Sequence, residues 1–156
     1  MQVRLFSLLD APYAFAGTYF ESIQHPADHW AERAAAGSAG GGSAIYLAHA
    51  PDGAVGMAGA YQPTDEPDTR RIYGVWVERA VRKQGLARRL VETLIDWADG
   101  SGAEKCDLWV AESNAPAVAL YERLGFQYTG LRQSLPSNPT VSEKKLVRPA
   151  GREPFA

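Results

Sequence analysis

The sequence predicts an α/β (α+β) fold: a mixed, mostly antiparallel central sheet that contains one parallel β-α-β unit. Two observations carry this. Strand-like runs at Ala44–Ala50 and Ala54–Gln62 flank Pro51-Asp52-Gly53, a turn that makes them an antiparallel hairpin. An apolar run at Arg71–Val77 is followed by a helical pattern at Gly85–Asp99 and a second apolar run at Lys105–Ala111. A helical crossover of that length makes its two strands parallel.

The remaining elements follow in chain order. Val3–Leu9 and Pro26–Ala36 read as helices, and Ser38–Ser43 is a glycine-rich break. Pro63–Thr69 reads as a polar acidic loop without further role. In the crossover helix Leu86, Leu90, Leu94 and Ala98 recur every four residues with Val91 and Ile95 beside them, and Gly100 and Gly102 stop it. Asn114–Leu124 reads as a helix ended by Gly125. Phe126–Leu131 reads as a strand with Phe126 and Tyr128 on one face, followed by a loop holding Pro136 and Pro139. Thr140–Val147 is the last strand. Residues 1–148 are expected to form one domain and 149–156 a frayed tail.

The 156 residues are 46% apolar and 22% charged, ordinary for a globular domain. A formal charge of −2 offers no reason to expect nucleic acid or an anionic membrane as partner. One cysteine, Cys106, rules out an intrachain disulfide and reads as a small apolar filler. No run reaches transmembrane length and no leader is recognised, so the expected location is cytoplasmic.

Positive charge is local. Val81-Arg82-Lys83-Gln84-Gly85-Leu86-Ala87-Arg88-Arg89-Leu90 joins the third strand to its helix. A basic, glycine-bearing turn opening a helix is an anion site, because free N–H groups, the positive dipole end and the cations converge. A phosphate or pyrophosphate suits it; a plain crossover turn with surface cations is the alternative. Neither a Walker loop nor a dinucleotide fingerprint is present.

A second constellation runs from Asn114 to Phe126. Asn114 is placed to cap the helix, Pro116 fits its first turn, and Ala117, Leu120, Tyr121 and Leu124 form the inward face. Tyr121 reads either as a core tyrosine or as a phenol beside a reacting sulfur; a buried phenol needs a partner.

Val75-x-Val77, Arg82-x-x-Gly85-x-Ala87, Asn114 and Leu120-Tyr121-Glu122-Arg123-Leu124-Gly125-Phe126 stand in an order that resembles the GNAT family of N-acetyltransferases, across Ala44–Val147. The resemblance implies an acyl-CoA N-acyltransferase-like fold and acetyl-CoA as co-substrate, with no metal. It implies that Arg82, Lys83, Gln84, Gly85, Leu86, Ala87 and Arg88 cradle the pyrophosphate, largely through backbone N–H groups. It implies that Val75, Trp76 and Val77 pair with the pantetheine arm, and that Asn114 and Tyr121 lie beside that arm and the sulfur. The chain departs from the family at Arg79, where proline is frequent. It departs again at its start, where Val3-Arg4-Leu5 already reads as the late part of the first helix. Either the start is truncated, or the sheet is one strand shorter, or a partner chain completes its edge; a homodimer is among the expected partners.

The implied reaction is direct attack of a primary amine, from a small molecule or a peptide, on the thioester within a ternary complex. Tyr121 is the candidate acid and Glu112, at the end of the Leu108-Trp109-Val110 strand, the candidate base; a solvated carboxylate is the alternative reading of Glu112. Phe15 and Tyr19 are candidates for the acceptor pocket. Trp76 and Trp109 read first as core and second as lining of the acceptor cleft. His25 and His29 are four apart, but without a third ligand they read as surface residues. A CoA-binding regulatory module without catalysis is the competing function, and a nucleotide or nucleic-acid binder a more distant one.

Overall fold

The computed structural model describes residues 42–151. Six strands form one sheet: β1 (Ser43–Ala50), β2 (Gly53–Tyr61), β3 (Thr69–Val77), β4 (Lys105–Ala111), β5 (Gln127–Leu135) and β6 (Asn138–Pro149), in the spatial order β1-β2-β3-β4-β6-β5. Helix α1 (Leu86–Gly100) connects β3 to β4, and α2 (Ala115–Arg123) connects β4 to β5. β3 and β4 are parallel and every other pairing is antiparallel, so the mixed sheet and its β-α-β unit are as the sequence predicts. The segments read as N-terminal helices, with Phe15, Tyr19, His25 and His29, lie outside the described residues.

The core forms where α1 lies on the sheet. Leu90, Val91, Leu94, Ile95 and Ala98 are all buried, the stripe that the four-residue spacing sets out. They pack on Ala58, Ile72, Val77, Leu108, Val110 and Leu146. Tyr121, Leu124 and Phe126 extend the same cluster, so α2 covers the same side of the sheet. The sheet therefore has a helix side and an opposite side.

The C-terminal hairpin differs from its sequence reading. β5 continues to Leu135 and β6 begins at Asn138, which leaves Pro136 and Ser137 as a two-residue turn and puts Pro139 inside β6. Pro139 is tolerated because β4 pairs with β6 only from Glu143 onward. β5 is an edge strand exposed along nearly its whole length, so it lacks the apolar alternation that marks a half-buried strand. Phe126 and Tyr128 do not share a face. Phe126 is buried just before the strand begins, whereas Tyr128 is exposed beneath the Lys144 ammonium. Pro149 is the last residue of β6, opposite Lys105, and so is not part of a frayed tail.

The acidic loop before β3 has more work than the sequence suggested. Arg71 Nε and one terminal nitrogen grip both oxygens of Asp107 at 2.8 Å, and Arg71 also reaches Glu66 at 2.8 Å. Lys145 Nζ adds a third cation–carboxylate contact, 3.0 Å from Asp107. Asp107 is almost fully buried, and these charge-assisted bonds hold the Arg71 guanidinium protonated far above the ordinary arginine range. The carbonyl of Asp68 accepts from Glu104 N at 2.8 Å, closing the loop onto the start of β4. Glu66 and Asp68 are thus structural.

Candidate active site

The site is created by a split in the sheet. β3 and β4 stay in register from Thr69↔Lys105 to Ile72↔Leu108, and there the pairing stops. Tyr73–Val77 and Trp109–Ala111 diverge, leaving a V-shaped gap between two parallel strands. The charge cluster on Arg71 and Asp107 clamps the strands one residue short of the last pair. Across β3 the chain bulges at Gly74, where the register with β2 shifts between Met57 and Gly59. Glu78 N donates to Val55 O at 2.7 Å, so alternation along β3 turns the peptide groups of Val77 away from β2 and toward the gap. Arg82 Nε binds the Val77 carbonyl there at 2.8 Å. That bond fixes the turn against the strand end, so Arg82 builds the turn before it offers any charge to a ligand.

The start of α1 lies beside the mouth of the V. A short 3₁₀ turn at Arg79–Val81 leads to Lys83 at φ 62° and Gly85 at φ 80°. Arg89 is the first amide to bond within the helix, to Gly85 O at 3.1 Å. The N–H groups of Leu86, Ala87 and Arg88 are therefore the helix's unpaired donors. No side chain among the described residues caps them. A Cβ built on Gly85 meets nothing within 4 Å among the described residues, which leave the space beside these amides open. Glycine is required there by its left-handed backbone, not by crowding from within the chain. Arg88 is drawn along the helix to Glu92 at 2.7 Å.

Helix α2 brings in the other two positions. Asn114 Oδ1 accepts from Ala117 N at 3.3 Å, the cap expected from the sequence. Tyr121 is 7% exposed, and its hydroxyl makes no hydrogen bond among the described residues. Burial pushes its pKa well above the ordinary phenol value, so the hydroxyl keeps its proton at every physiological pH. Such a group can donate a proton and cannot act as a base.

Glu112 follows β4 directly, and Arg132 Nε stands 2.6 Å from its Oε1, off the line of a good hydrogen bond. The carboxylate thus sits at the active end of β4 with a cation against it. Trp76 is buried but lies outside the helix-side cluster, as does Met57 opposite it. It therefore belongs to the opposite side of the sheet. Tyr73 also faces that side; its ring lies over Gly59, where a built Cβ would come within 2.6 Å of it, and meets Tyr61 edge-on at 5.7 Å. The ring therefore leans over β2, away from the gap.

An open strand edge, uncapped helix amides and a protonated phenol suit an acyl-CoA: the amides match a pyrophosphate and the gap an extended amide-bearing arm. Comparison with known proteins agrees. The model of the acetyltransferase (GNAT) family matches residues 6–126, and the chain belongs to that family. It is 33% identical over 93 residues to human N-acetyltransferase 8, covering 57% of this chain and 40% of that one. It is 39% identical over 67 residues to the ribosomal protein bS18-alanine N-acetyltransferase of Escherichia coli K12, covering 43% and 45%. The matched stretches thus span less than half of either relative. Among solved structures, yncA from Salmonella typhimurium, determined with its cofactor acetyl-CoA, superposes with a TM-score of 0.68 over 83% of this chain and 76% of that one; at 18% identity it shows the fold alone.

The gap, the Gly74 bulge and the Arg71–Asp107 clamp escaped the sequence reading. A lone Gly within a strand pattern was the available signal for the bulge. Register and the pairing of distant charges leave no local trace.

Proposed function

We propose that the protein is an acetyl-CoA-dependent N-acetyltransferase that acetylates a primary amine of a small molecule or peptide by direct attack in a ternary complex. The observation that carries this is the juxtaposition of the uncapped amides of Leu86–Arg88 with the β3–β4 gap. Residues 82–88 hold the pyrophosphate, chiefly through backbone N–H groups, with Lys83 adding charge. The gap-facing edge of Val75–Val77 pairs with the pantetheine arm, and Asn114 lies beside it. When bound, acetyl-CoA supplies an activated acyl group on a thiol leaving group.

The chain's own groups do the rest. The Val77 N–H faces the carbonyl oxygen on which negative charge develops. Tyr121 gives its proton to the departing sulfur, whose thiol has an ordinary pKa of ~8.5. Glu112 is the candidate base, acting on the amine once Arg132 moves aside. Phe15 and Tyr19 are the candidates for the acceptor side. The bS18-alanine N-acetyltransferase is named for a protein substrate, which supports a peptide among the acceptors. A single domain over residues 1–148, a cytoplasmic setting and a homodimer formed along an open sheet edge belong to the same reading.

The test is thiol release from acetyl-CoA against a panel of primary amines, including polyamines, aminoglycosides and peptides. Amine-dependent release supports the transferase. Tight acetyl-CoA binding without release to any amine favours a non-catalytic CoA-binding module.

A further inference from the structure

We infer that Glu143 is the group that receives the acceptor's ammonium, and that the acceptor is selected as a cation. This rests on the transferase reading above and adds the chemical class of the second substrate.

The side of the sheet decides which carboxylate an acceptor meets. Leu108 and Val110 of β4, and Leu146 of β6, point to the helix side, where α1 and α2 pack. Asp107, Trp109 and Ala111 alternate with them and face the opposite side. Their antiparallel partners on β6 are Val147, Lys145 and Glu143, which share that face. Lys145 confirms it, with Nζ 5.8 Å from the Trp109 ring centre and 3.0 Å from Asp107. Trp76 of β3 lies on this side too, across the gap. Glu112 pairs instead with Arg132, which is opposite Lys144 on the helix side, the side of Tyr121. An acceptor approaching from the side of the sheet opposite Tyr121 and the helices meets Glu143 on its way to the gap.

Glu143 is poorly compensated for a buried carboxylate. It is 7% exposed, and Gln133 Nε2 donates to its Oε2 at 2.9 Å. No cation pairs with it among the described residues, and Oε1 accepts no hydrogen bond there. Buried carboxylates normally have a charged partner. The same-face cation next along β6, Lys145, is already held by Asp107. On β4, between Glu143 and the gap, the residue paired with Glu143 is Ala111, whose side chain is small. Adjacent strands are ~4.8 Å apart, within the reach of a glutamate side chain. Gln133, on β5 at the side away from the gap, occupies Oε2, so Oε1 is the oxygen left for a positively charged amine entering the V.

The experiment compares the full-length protein with Glu143→Gln and Glu143→Asp. Each is assayed for thiol release with putrescine, kanamycin and an alanyl peptide as cationic acceptors, and with an arylamine that is neutral at pH 7. For each cationic amine that the unaltered protein acetylates, Glu143→Gln is expected to raise KM about tenfold or more, the loss of one charge-assisted hydrogen bond. Glu143→Asp, which keeps the charge, is expected to recover part of that loss. KM for acetyl-CoA and for the neutral arylamine stays within about twofold, which a merely damaged fold would not preserve. Unchanged amine KM in Glu143→Gln, or an equal loss for charged and neutral acceptors, overturns the inference while leaving the transferase reading intact. Failure of the unaltered protein to bind acetyl-CoA overturns both.

Discussion

Phe126 is tied to Tyr121 twice: its amide donates to the Tyr121 carbonyl at 3.0 Å, and the two rings meet edge to face with centres 5.9 Å apart. Gly125 N also donates to Glu122 O at 3.1 Å, completing a Schellman stop with its accompanying apolar contact. The end of α2 therefore positions the phenol. Gly125 is at φ 92°, a conformation that costs an L-residue ~1–2 kcal/mol. Gly125→Ala is expected to lower stability by about that amount in urea unfolding. It should also lower kcat more than it raises KM for acetyl-CoA, since the turn holds Tyr121 and not the cofactor amides.

Tyr121→Phe keeps the ring and its contact with Phe126 and removes the proton. Steady-state kinetics should show kcat reduced about 100-fold or more, with acetyl-CoA affinity unchanged. Because burial raises the phenol's pKa, the folded state binds this proton more tightly than the unfolded chain does. The resulting stability is fully present below pH ~10, the ordinary phenol value, and is lost as pH rises from there toward the folded value. Alkaline unfolding of Tyr121→Phe should lack that component. Wild-type turnover restored in the variant would remove Tyr121 from the chemistry.

The clamp at the root of the V is a separate claim. Asp107→Asn removes the buried carboxylate between Arg71 and Lys145 and leaves them to share Glu66, 2.8 and 3.9 Å away. Removing one member of a buried ion pair costs roughly 3–5 kcal/mol, and a loss of about 3 kcal/mol is expected, given that Arg71 retains Glu66. Denaturant unfolding measures it; a loss below about 1 kcal/mol would show that the cluster is not the vertex support.

Cys106 is 1% exposed, and burial first, then the nearby Asp99 carboxylate, pushes its thiol up to about 12. The native protein should therefore resist a thiol reagent at pH 8 and react with one equivalent only on unfolding. Rapid labelling of the folded protein would contradict the placement of β4 against α1.

The parallel unit, both described helices and the Asn114 cap were legible because they depend on local signals: a four-residue apolar stripe, a capping residue and glycine stops. β5 was read too short because an exposed edge strand has no reason to alternate. Glu66 reads as loop because the cluster it joins through Arg71 is completed by Asp107 and Lys145, which strand register and not proximity in sequence brings there. Glu143 was invisible for the same reason. A charged residue in a terminal strand reads as solvated until the sheet order and register place it behind Ala111, one strand from the gap.

Calorimetric titration of acetyl-CoA decides whether the turn opening α1 is the cofactor site. Gly85→Glu combines a left-handed backbone that disfavours a side chain with a carboxylate over the free amides, at a position where the added Cβ meets nothing within 4 Å among the described residues. Lys83→Ala removes only one exposed charge. The account predicts that the unaltered protein binds acetyl-CoA, that Lys83→Ala weakens binding, and that Gly85→Glu abolishes it while the protein remains folded. Equal, near-wild-type affinity in both variants would contradict it.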